Sequence, residues 1–212
     1  MASRTRERIL DTSLAMFNAA GEPNVTTNHI ADELGISPGN LYYHFRNKDD
    51  IVGHLFARYE ARIDEALLVP EDRPPNLEDV WLQLHLVFEC MWAYRFLYRD
   101  LVDILARNRK LKLRFARIMT RASASAAAMM RGLVRGGVMR ASEAEIRAVA
   151  ENVLLVATFW LSFDAVRNGR SELEKLDSGR GIHQVMVLIA PFLRAEERNH
   201  LATLAGAYSE ES

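Results

Sequence analysis

The fold is decided by residues 26–51, which read TTNHIADELGISPGNLYYHFRNKDDI. Thr26, or the threonine after it, can cap a helix that ends at Gly35. Ser37 can cap a second helix with Pro38 at its first position, where a missing backbone donor has no consequence. This order of caps predicts two short helices joined by a tight glycine turn.

The second short helix carries small, polar and aromatic residues on its predicted outer face and almost no bulky charge. Small residues at a helix start let the backbone approach a partner closely, and the polar tips further along can hold phosphate. This combination is typical of a helix that enters the major groove of DNA. The predicted exposed residues are Pro38, Gly39, Asn40, Tyr42, Tyr43 and His44.

Helices are also predicted on both sides of this pair. An apolar stripe over residues 9–17 ends at Gly21, and Asn47 can cap a longer helix that runs to about Leu68. We therefore predict a small helical DNA-binding domain over residues 1–50. Its core would contain Ile9, Phe17, Ile30, Ala31, Leu34, Ile36, Leu41, Phe45 and Ile51.

The remaining residues, 51–212, predict a larger helical bundle. The segment VPEDRPPN at 69–76 has three prolines and marks the clearest boundary. No alternating strand pattern is evident, so the predicted fold class is all-α. Further helices are predicted from Leu77, from the basic stretch 107–114 to Gly136, from Ser142 to Asn168, and after a polar loop at 170–181, with a kink near Pro191.

Charge and cysteine content limit the cell compartment and the binding mode. The net charge is −1, and residues 1–48 carry five basic and five acidic side chains, whereas nucleic-acid binders are usually more basic. DNA binding would therefore depend on the placement of side chains. The single Cys90, the absence of an apolar leader, and a longest apolar run of 11 residues at 153–163 predict a cytoplasmic protein without a membrane span.

Enzyme chemistry has little support in this sequence. The six histidines are scattered without metal-ligand spacing, and no glycine-rich phosphate loop is present. Cys90 lies in a mostly apolar stretch of a predicted helix, which indicates a structural thiol. We predict no catalytic activity, no metal and no cofactor.

Two predicted helices of the larger domain are apolar around most of their circumference. A helix of this kind can pack on its own core with one face and on a partner subunit with the other. The alternative is a central helix in a monomer. The residues predicted at a homodimer interface are Leu154, Leu161, Ile182, Val185 and Ile189.

Large aromatic and methionine side chains are abundant in the same domain. They can line an apolar pocket between bundle helices, and they can equally be core residues with no ligand. The residues predicted to bind a small apolar or amphipathic ligand are Trp81, His85, Phe88, Met91, Trp92, Phe115, Met119, Met130, Phe159 and Trp160. The basic stretch 107–114 has three interpretations: a solvated helix face, an added attraction for phosphate, or a patch for an acidic head group.

Residues 6–55 resemble the N-terminal DNA-binding domain of the TetR family of transcriptional regulators. The resemblance is carried by ILDTSLAMF at 9–17 with Gly21, by VTTNHIADELGISPGNLYYHF at 25–45, and by NKDDI at 47–51. It implies a homodimer in which each subunit places one recognition helix in a major groove. The Gly39-Asn40 pair differs from the commoner family pattern of Gly followed by Thr or Ser, which leaves the recognised base sequence open.

The resemblance also assigns roles to individual residues. Those implied to hold phosphates are Thr27, Tyr43, His44 and Lys48, with Ser37 at the start of the recognition helix. Those implied to lie near base edges are Asn28, Gly39, Asn40 and Tyr42, beside Pro38. Asn40 has the paired donor and acceptor that can read adenine.

The prediction that joins these observations is a one-component transcriptional regulator, a repressor that binds a palindromic operator in double-stranded DNA as a homodimer. A small ligand in the larger domain would release it. Two alternatives stay open at this stage: a DNA-binding regulator without a small-molecule inducer, and a helical small-molecule-binding protein without DNA affinity.

Overall fold

The structure is a computed structural model, and it describes residues 2–168 and 178–206. Within these residues the chain forms eleven α-helices and no strand, apart from one isolated bridge between Met139 and Leu193. The all-α prediction is confirmed. The helices are α1 (Ala2–Ala20), α2 (Thr27–Leu34), α3 (Pro38–His44), α4 (Lys48–Ala66), α5 (Leu77–Ala93), α6 (Arg95–Arg99), α7 (Leu101–Arg107), α8 (Arg109–Arg135), α9 (Glu143–Asn168), α10 (Ser178–Ile189) and α11 (Ala195–Gly206).

The helix-turn-helix is defined by local hydrogen bonds that the sequence encodes. Thr26 Oγ1 accepts from the His29 backbone N–H at 3.2 Å, and the His29 ring accepts from the Thr26 N–H. Gly35 ends α2 in the left-handed conformation, with φ of 64°. Ser37 Oγ accepts from the Asn40 N–H at 3.2 Å and starts α3.

Side-chain caps start the long helices α4 and α9. Asn47 Oδ1 accepts from the Asp50 N–H at 2.8 Å, and the Asp50 carboxylate accepts from the Arg46 N–H at 3.1 Å. Ser142 and Glu145 form the predicted capping box at the start of α9. These side chains replace the helical partners that the first backbone N–H groups lack.

Two predicted features differ in the structure. Residues 95–107 form the separate short helices α6 and α7, and Asn108, in an extended conformation, caps α8 with its side chain. Pro191 is not a kink: α10 ends at Ile189, residues 190–192 form a 3-10 turn, and α11 is a new helix, because a proline has no N–H for the helical ladder. Residues 178–181 belong to α10, and the rest of the predicted polar loop lies outside the described residues.

The chain divides into two compact units. The N-terminal unit contains residues 1–62 and 94–114, and the C-terminal unit contains residues 63–93 and 115–212. Both α4 and α8 run from one unit into the other. The predicted functional boundary after residue 50 stays a prediction, and the division by packing falls within α4.

The core of the N-terminal unit contains most of the predicted residues and is extended by α6, whereas the predicted Leu34 and Ile36 are only half-buried. Ile9, Phe17 and Ile30 have no exposed surface, and Leu41 and Phe45 are buried with them. The Phe96 ring of α6 lies 5.3 Å from the Phe17 ring, and the Phe96 N–H donates to Asn18 Oδ1. The segment 94–114 is thus packed and hydrogen-bonded onto α1.

The core of the C-terminal unit is formed by α5, α8, α9 and α10. Gly181 lets α10 pass close to α5 and α9, because a side chain there would overlap Phe88 and would lie 2.7 Å from Trp160 Cδ1. By length and composition α9 could cross a membrane, but it buries Asp164 with Arg180 3.7 Å away and packs against α10. These contacts are those of a core helix.

Candidate nucleic-acid interface

Helix α3 presents the face that the sequence predicts. Leu41 and Phe45 are buried, whereas Tyr43 is 80% exposed and Tyr42 is 49% exposed. A short helix with apolar residues on one side and accessible polar tips on the other can contact an external partner without unfolding. The remaining exposed residues on this surface are Asn28, Ser37, Pro38, Gly39 and Asn40, and His44 and Thr27 are half-buried.

A hydrogen bond links the two helices of the motif at its exposed side. The Tyr42 hydroxyl lies 3.0 Å from Thr27 Oγ1, so α3 is tied to the first residue of α2. The Tyr43 ring contacts the His44 ring edge-on at a centroid distance of 5.1 Å. Tyr42 is therefore positioned by Thr27, one of the residues that the family resemblance implies to hold a phosphate.

A buried carboxylate lies at the link between α1 and α2. Glu22 has no exposed surface, and Arg107 of α7 donates to its Oε2 at 2.6 Å. Lys48 Nζ donates to the Glu22 carbonyl oxygen at 2.9 Å and lies 3.1 Å from Oε1, an atom that accepts no well-angled hydrogen bond from any described residue. The hydrogen bond that Arg107 donates to Glu22 raises the pKa of Arg107. One buried anion therefore joins α7 to the start of α4.

The same link is held by two further residues of α6 and its C-terminus. The Glu22 N–H donates to Asp100 Oδ2 at 3.1 Å, and the Arg99 guanidinium donates to the Phe17 carbonyl at 2.7 Å. Gly21, with φ of 89°, allows the turn at this point. Sequence reasoning missed this cluster, because nothing in the local pattern indicates that Glu22 is buried.

His54 lies on α4, against α1. Arg6 Nη2 approaches the His54 ring at 2.8 Å from Nε2, and the Phe45 ring packs edge-on against it. Burial, followed by the charge of Arg6, lowers the pKa of His54 below its ordinary value. The neutral imidazole is thus the form that the folded packing favours.

Charge is distributed unevenly between the units. Residues 1–62 and 94–114 contain fourteen basic and ten acidic side chains, a net charge of +4, although the whole chain carries −1. The neutral balance of residues 1–48 is therefore not the balance of the packed unit. The fold adds the basic segment 94–114 to the helix-turn-helix.

The residues predicted to bind a ligand fall into three groups in the C-terminal unit. Phe88, Met130 and Trp160 belong to the core cluster, and Met91 and Phe115 are also buried. The half-buried members are Trp81, which stacks on His85 at 5.3 Å, and Trp92 and Met119. The third group is Phe159 alone, which is 45% exposed. The Trp160 Nε1 is buried and has no hydrogen-bond partner among the described residues.

The residues predicted at a dimer interface are mostly inside the chain's own core. Ile182 and Val185 have no exposed surface, Ile189 and Leu161 are buried, and Leu154 is half-buried. They would have to leave their present packing to meet another chain. The exposed apolar face of α9 is formed by other residues, at spacings of three and four: Leu155, Phe159, Phe163 and Val166.

The described residues contain no group of three His, Cys, Asp or Glu side chains that could hold a metal ion. The N-terminal unit instead presents α3, an accessible helix with little charge, next to the capped start of the long helix α4. The unit as a whole carries a positive net charge. This arrangement defines a helix-turn-helix DNA-binding protein.

Comparison with known proteins places the chain in a family. A model described as "Bacterial regulatory proteins, tetR family" matches residues 9–55, and one described as "Bacterial transcriptional repressor" matches residues 58–201. The crystal structure of a TetR-family transcriptional regulator from Marinobacter aquaeolei VT8 is 41% identical, covers 96% of this chain and 98% of that chain, and has a TM-score of 0.87. The chain belongs to the TetR family of transcriptional regulators.

More distant similarities agree with this assignment. The HTH-type transcriptional regulator SAR2658 of Staphylococcus aureus (strain MRSA252) is 30% identical over 112 residues, which are 52% of this chain and 59% of that protein. Across the first curated relatives the chain spans 31% to 59% of their length. A putative transcriptional regulator from Saccharomonospora viridis, in complex with choline, is 19% identical over 91% of this chain and 99% of that one, with a TM-score of 0.71, which shows the fold alone.

Proposed function

We propose that this regulator is a repressor that binds a palindromic operator as a homodimer and is released by a small apolar or amphipathic effector. The observation that carries the DNA part is the exposed face of α3, with Asn40 and Tyr42 accessible while Leu41 and Phe45 hold the helix in place. Asn40 would read a base edge in the major groove.

Contacts to DNA phosphates would surround the exposed face of α3. Thr27, Ser37, Tyr43 and His44 lie on or beside the exposed side of the motif. Lys48 is also proposed as a contact, although its ammonium group is shared with Glu22. The start of α4 adds backbone N–H groups at the positive end of a helix dipole. These contacts would position the protein without selecting a sequence.

Dimerisation is proposed through the exposed apolar face of α9, defined above by Leu155, Phe159, Phe163 and Val166. Three of these side chains are more than half exposed. Large apolar side chains in a continuous stripe are a common mark of a subunit interface. A second copy of the chain is the partner that a palindromic operator requires, because two equivalent half-sites call for two-fold symmetry.

The effector is proposed to bind in the C-terminal unit. Support comes from the buried aromatic and methionine side chains there, and from the Trp160 Nε1 donor that has no partner among the described residues. An effector with an acceptor atom would satisfy this N–H. The choline complex of the Saccharomonospora viridis protein supports a small-molecule role for this fold.

Release is proposed to act through α4, which continues from the C-terminal unit into the helix-turn-helix unit. Half-sites lie about 34–36 Å apart on DNA, so a small rotation of the recognition helices would break register. The effector can act only through its different affinity for the two arrangements. We also propose that the protein acts in the cytoplasm and has no catalytic activity or cofactor.

The proposal is tested by selecting fragments of the source genome with the purified protein at near-physiological salt. Recovery of a short palindrome supports the operator and the dimer together. A folded protein that enriches no sequence would instead favour a helical small-molecule-binding protein. If the operator is recovered and no small molecule weakens binding, a regulator without an inducer is the remaining interpretation.

A further inference from the structure

An open groove of about 480 Å³ lies on the N-terminal unit, between the first half of α4 and the start of α8. Both walls belong to this one unit. Residues 46–57 contribute one wall, and residues 108–114 contribute the other. Residues 46–50 of the first wall belong to the helix-turn-helix pattern, whereas the wall on α8 belongs neither to that pattern nor to the proposed effector site.

Cationic side chains on the groove outnumber anionic ones by one: Arg46, Lys110 and Arg114 against Asp49 and Asp50. The Arg46 side chain is 88% exposed, and Asp50 is satisfied by the Arg46 N–H and by Arg46 Nε at 3.6 Å. Arg114 is held by Glu60 at 2.6 Å. Asp49 opposes the positive potential in the groove, and its charge also acts on Arg107. Beside these, Lys110 faces the groove from α8.

Lys110 is exposed and its ammonium group forms no ion pair with any described residue. Arg109 and Lys112 on the same turn of α8 are also exposed and form no such pair. Three unpaired cations within four positions give the segment a local excess of charge, and they contribute to the +4 net charge of the unit. No described carboxylate holds these charges, so they are available to an external anion.

The groove begins where the recognition helix ends. Arg46 and Asn47 connect the end of α3 directly to the first residue of α4. The groove also contains the N-terminal ends of two long helices, α4 and α8, whose first N–H groups carry partial positive charge. A phosphate chain that passes the start of α4 would therefore continue along the groove past Arg46 and Lys110.

We infer that this groove binds the phosphate backbone of duplex DNA beyond the bases that α3 reads, with Lys110 as its principal cation. This inference rests on the proposed DNA-binding function. The open shape suits a strand that runs past the protein better than a small anion, which would be enclosed. The contact would add affinity without sequence preference, because phosphates carry no base information.

The test is the salt dependence of binding to a long mixed-sequence duplex, which needs no knowledge of the operator. Each phosphate contact contributes about 0.9 to the slope of log affinity against log salt. We expect Lys110→Gln to reduce this slope by about 0.9 for each subunit of the proposed homodimer that contacts the duplex, and Lys110→Arg to retain it. Arg198→Gln, which removes an exposed charge from α11 in the C-terminal unit, is the matched control and should leave the slope unchanged.

The outcomes separate this inference from the function on which it rests. If the wild-type protein binds the duplex and Lys110→Gln shows the same slope, the groove assignment is overturned and the proposed function stands. If the wild-type protein binds no duplex at all, both are overturned. An unchanged DNA slope together with calorimetric loss of inorganic phosphate binding in Lys110→Gln would identify a small-anion site instead. Thermal unfolding should be the same for all variants, because these side chains are exposed.

Discussion

The ammonium group of Lys48 lies 3.1 Å from the carboxylate of Glu22, a side chain with no exposed surface. Lys48 is the first residue of α4, and Glu22 belongs to the link between α1 and α2. On the other side of the carboxylate, Arg107 donates from the end of α7 at 2.6 Å. Lys48, one of the residues implied to hold a DNA phosphate, thus also neutralises the buried Glu22 carboxylate. Any movement of α7 that withdraws Arg107 would leave Lys48 to balance this carboxylate alone.

The Glu22 cluster should contribute strongly to the stability of the N-terminal unit. In Glu22→Gln the charges of Lys48 and Arg107 remain without their anion, and removing one partner of a buried pair typically costs about 3–5 kcal/mol. Because both cations are partly exposed, we expect the lower end, roughly 3 kcal/mol, in the free energy of unfolding measured with urea. Asp103→Asn, which affects an exposed partner of the same Arg107, is the control and should change stability little. Equal effects of the two substitutions would contradict the assignment.

Asn40 should determine sequence preference, and Tyr42 should determine the placement of α3. Loss of one good base contact in Asn40→Ala is expected to weaken binding to the selected operator by about 1–3 kcal/mol and to relax the preference at one position. Tyr42→Phe removes the hydroxyl bonded to Thr27 at 3.0 Å and should weaken operator binding without changing the fold. Both are measured by fluorescence anisotropy on operator and scrambled duplexes. An Asn40→Ala protein with unchanged affinity and preference would show that α3 is not the reading helix.

Stability should decrease with acidification in a window set by His54. Its pKa is lowered in the folded state from the ordinary 6.5, mainly by burial and then by Arg6. The unfolded chain therefore takes up the proton first as the pH falls below 6.5, so the stability present above that value is lost progressively until the folded pKa is reached. In His54→Gln this part of the pH dependence should disappear. NMR titration of His54 tests the same point directly, and a pKa at or above 6.5 would disprove it.

The exposed face of α9 should hold the proposed dimer together. Phe163 is 55% exposed, so Phe163→Glu leaves the monomer core intact while placing a charge on the proposed interface. We expect a folded monomer by light scattering and loss of operator binding. Val102→Glu, at a position 73% exposed on α7, is the matched control and should remain dimeric. A Phe163→Glu protein that stays dimeric would rule out this face as the interface.

The approach of α10 to α5 and α9 should tolerate no side chain at residue 181. A methyl group in Gly181→Ala would overlap Phe88 and lie 2.7 Å from Trp160 Cδ1, so we expect a loss of about 1–3 kcal/mol in unfolding free energy. Gly53 is also helical but has open space around its Cα, so Gly53→Ala should stabilise the protein by about 0.5–1 kcal/mol. If Gly181→Ala were also stabilising, the close packing described for the C-terminal unit would be incorrect.

Local chemistry explains why the helix-turn-helix was predictable. Its caps act over three or four residues: Thr26 with His29, Ser37 with Asn40, and Asn47 with Asp50. The apolar spacing that buries Leu41 and exposes Tyr42 is equally local. Nearby residues are sufficient to specify such elements, so they can be identified before any tertiary contact is known.

The residues predicted at the dimer interface illustrate the limit of apolar periodicity as a guide to which side of a helix is exposed. Nearly every position from 153 to 163 on α9 is apolar, so periodicity could not separate the core side from the exposed side. In the structure Leu161 is buried, whereas Phe159 and Phe163 are exposed. The kink predicted near Pro191 is instead the end of a helix, because residues 190–192 form a 3-10 turn.

The helices, their caps and the exposed face of α3 could be predicted from the amino-acid sequence, because they follow from interactions between neighbouring residues. The burial of Glu22 between Lys48 and Arg107, and the positive charge that residues 94–114 add to the N-terminal unit, became visible only in the folded chain. Those relationships join residues more than twenty positions apart. Their free energy depends on burial and on the distance between charges, and neither quantity is set until the chain has folded.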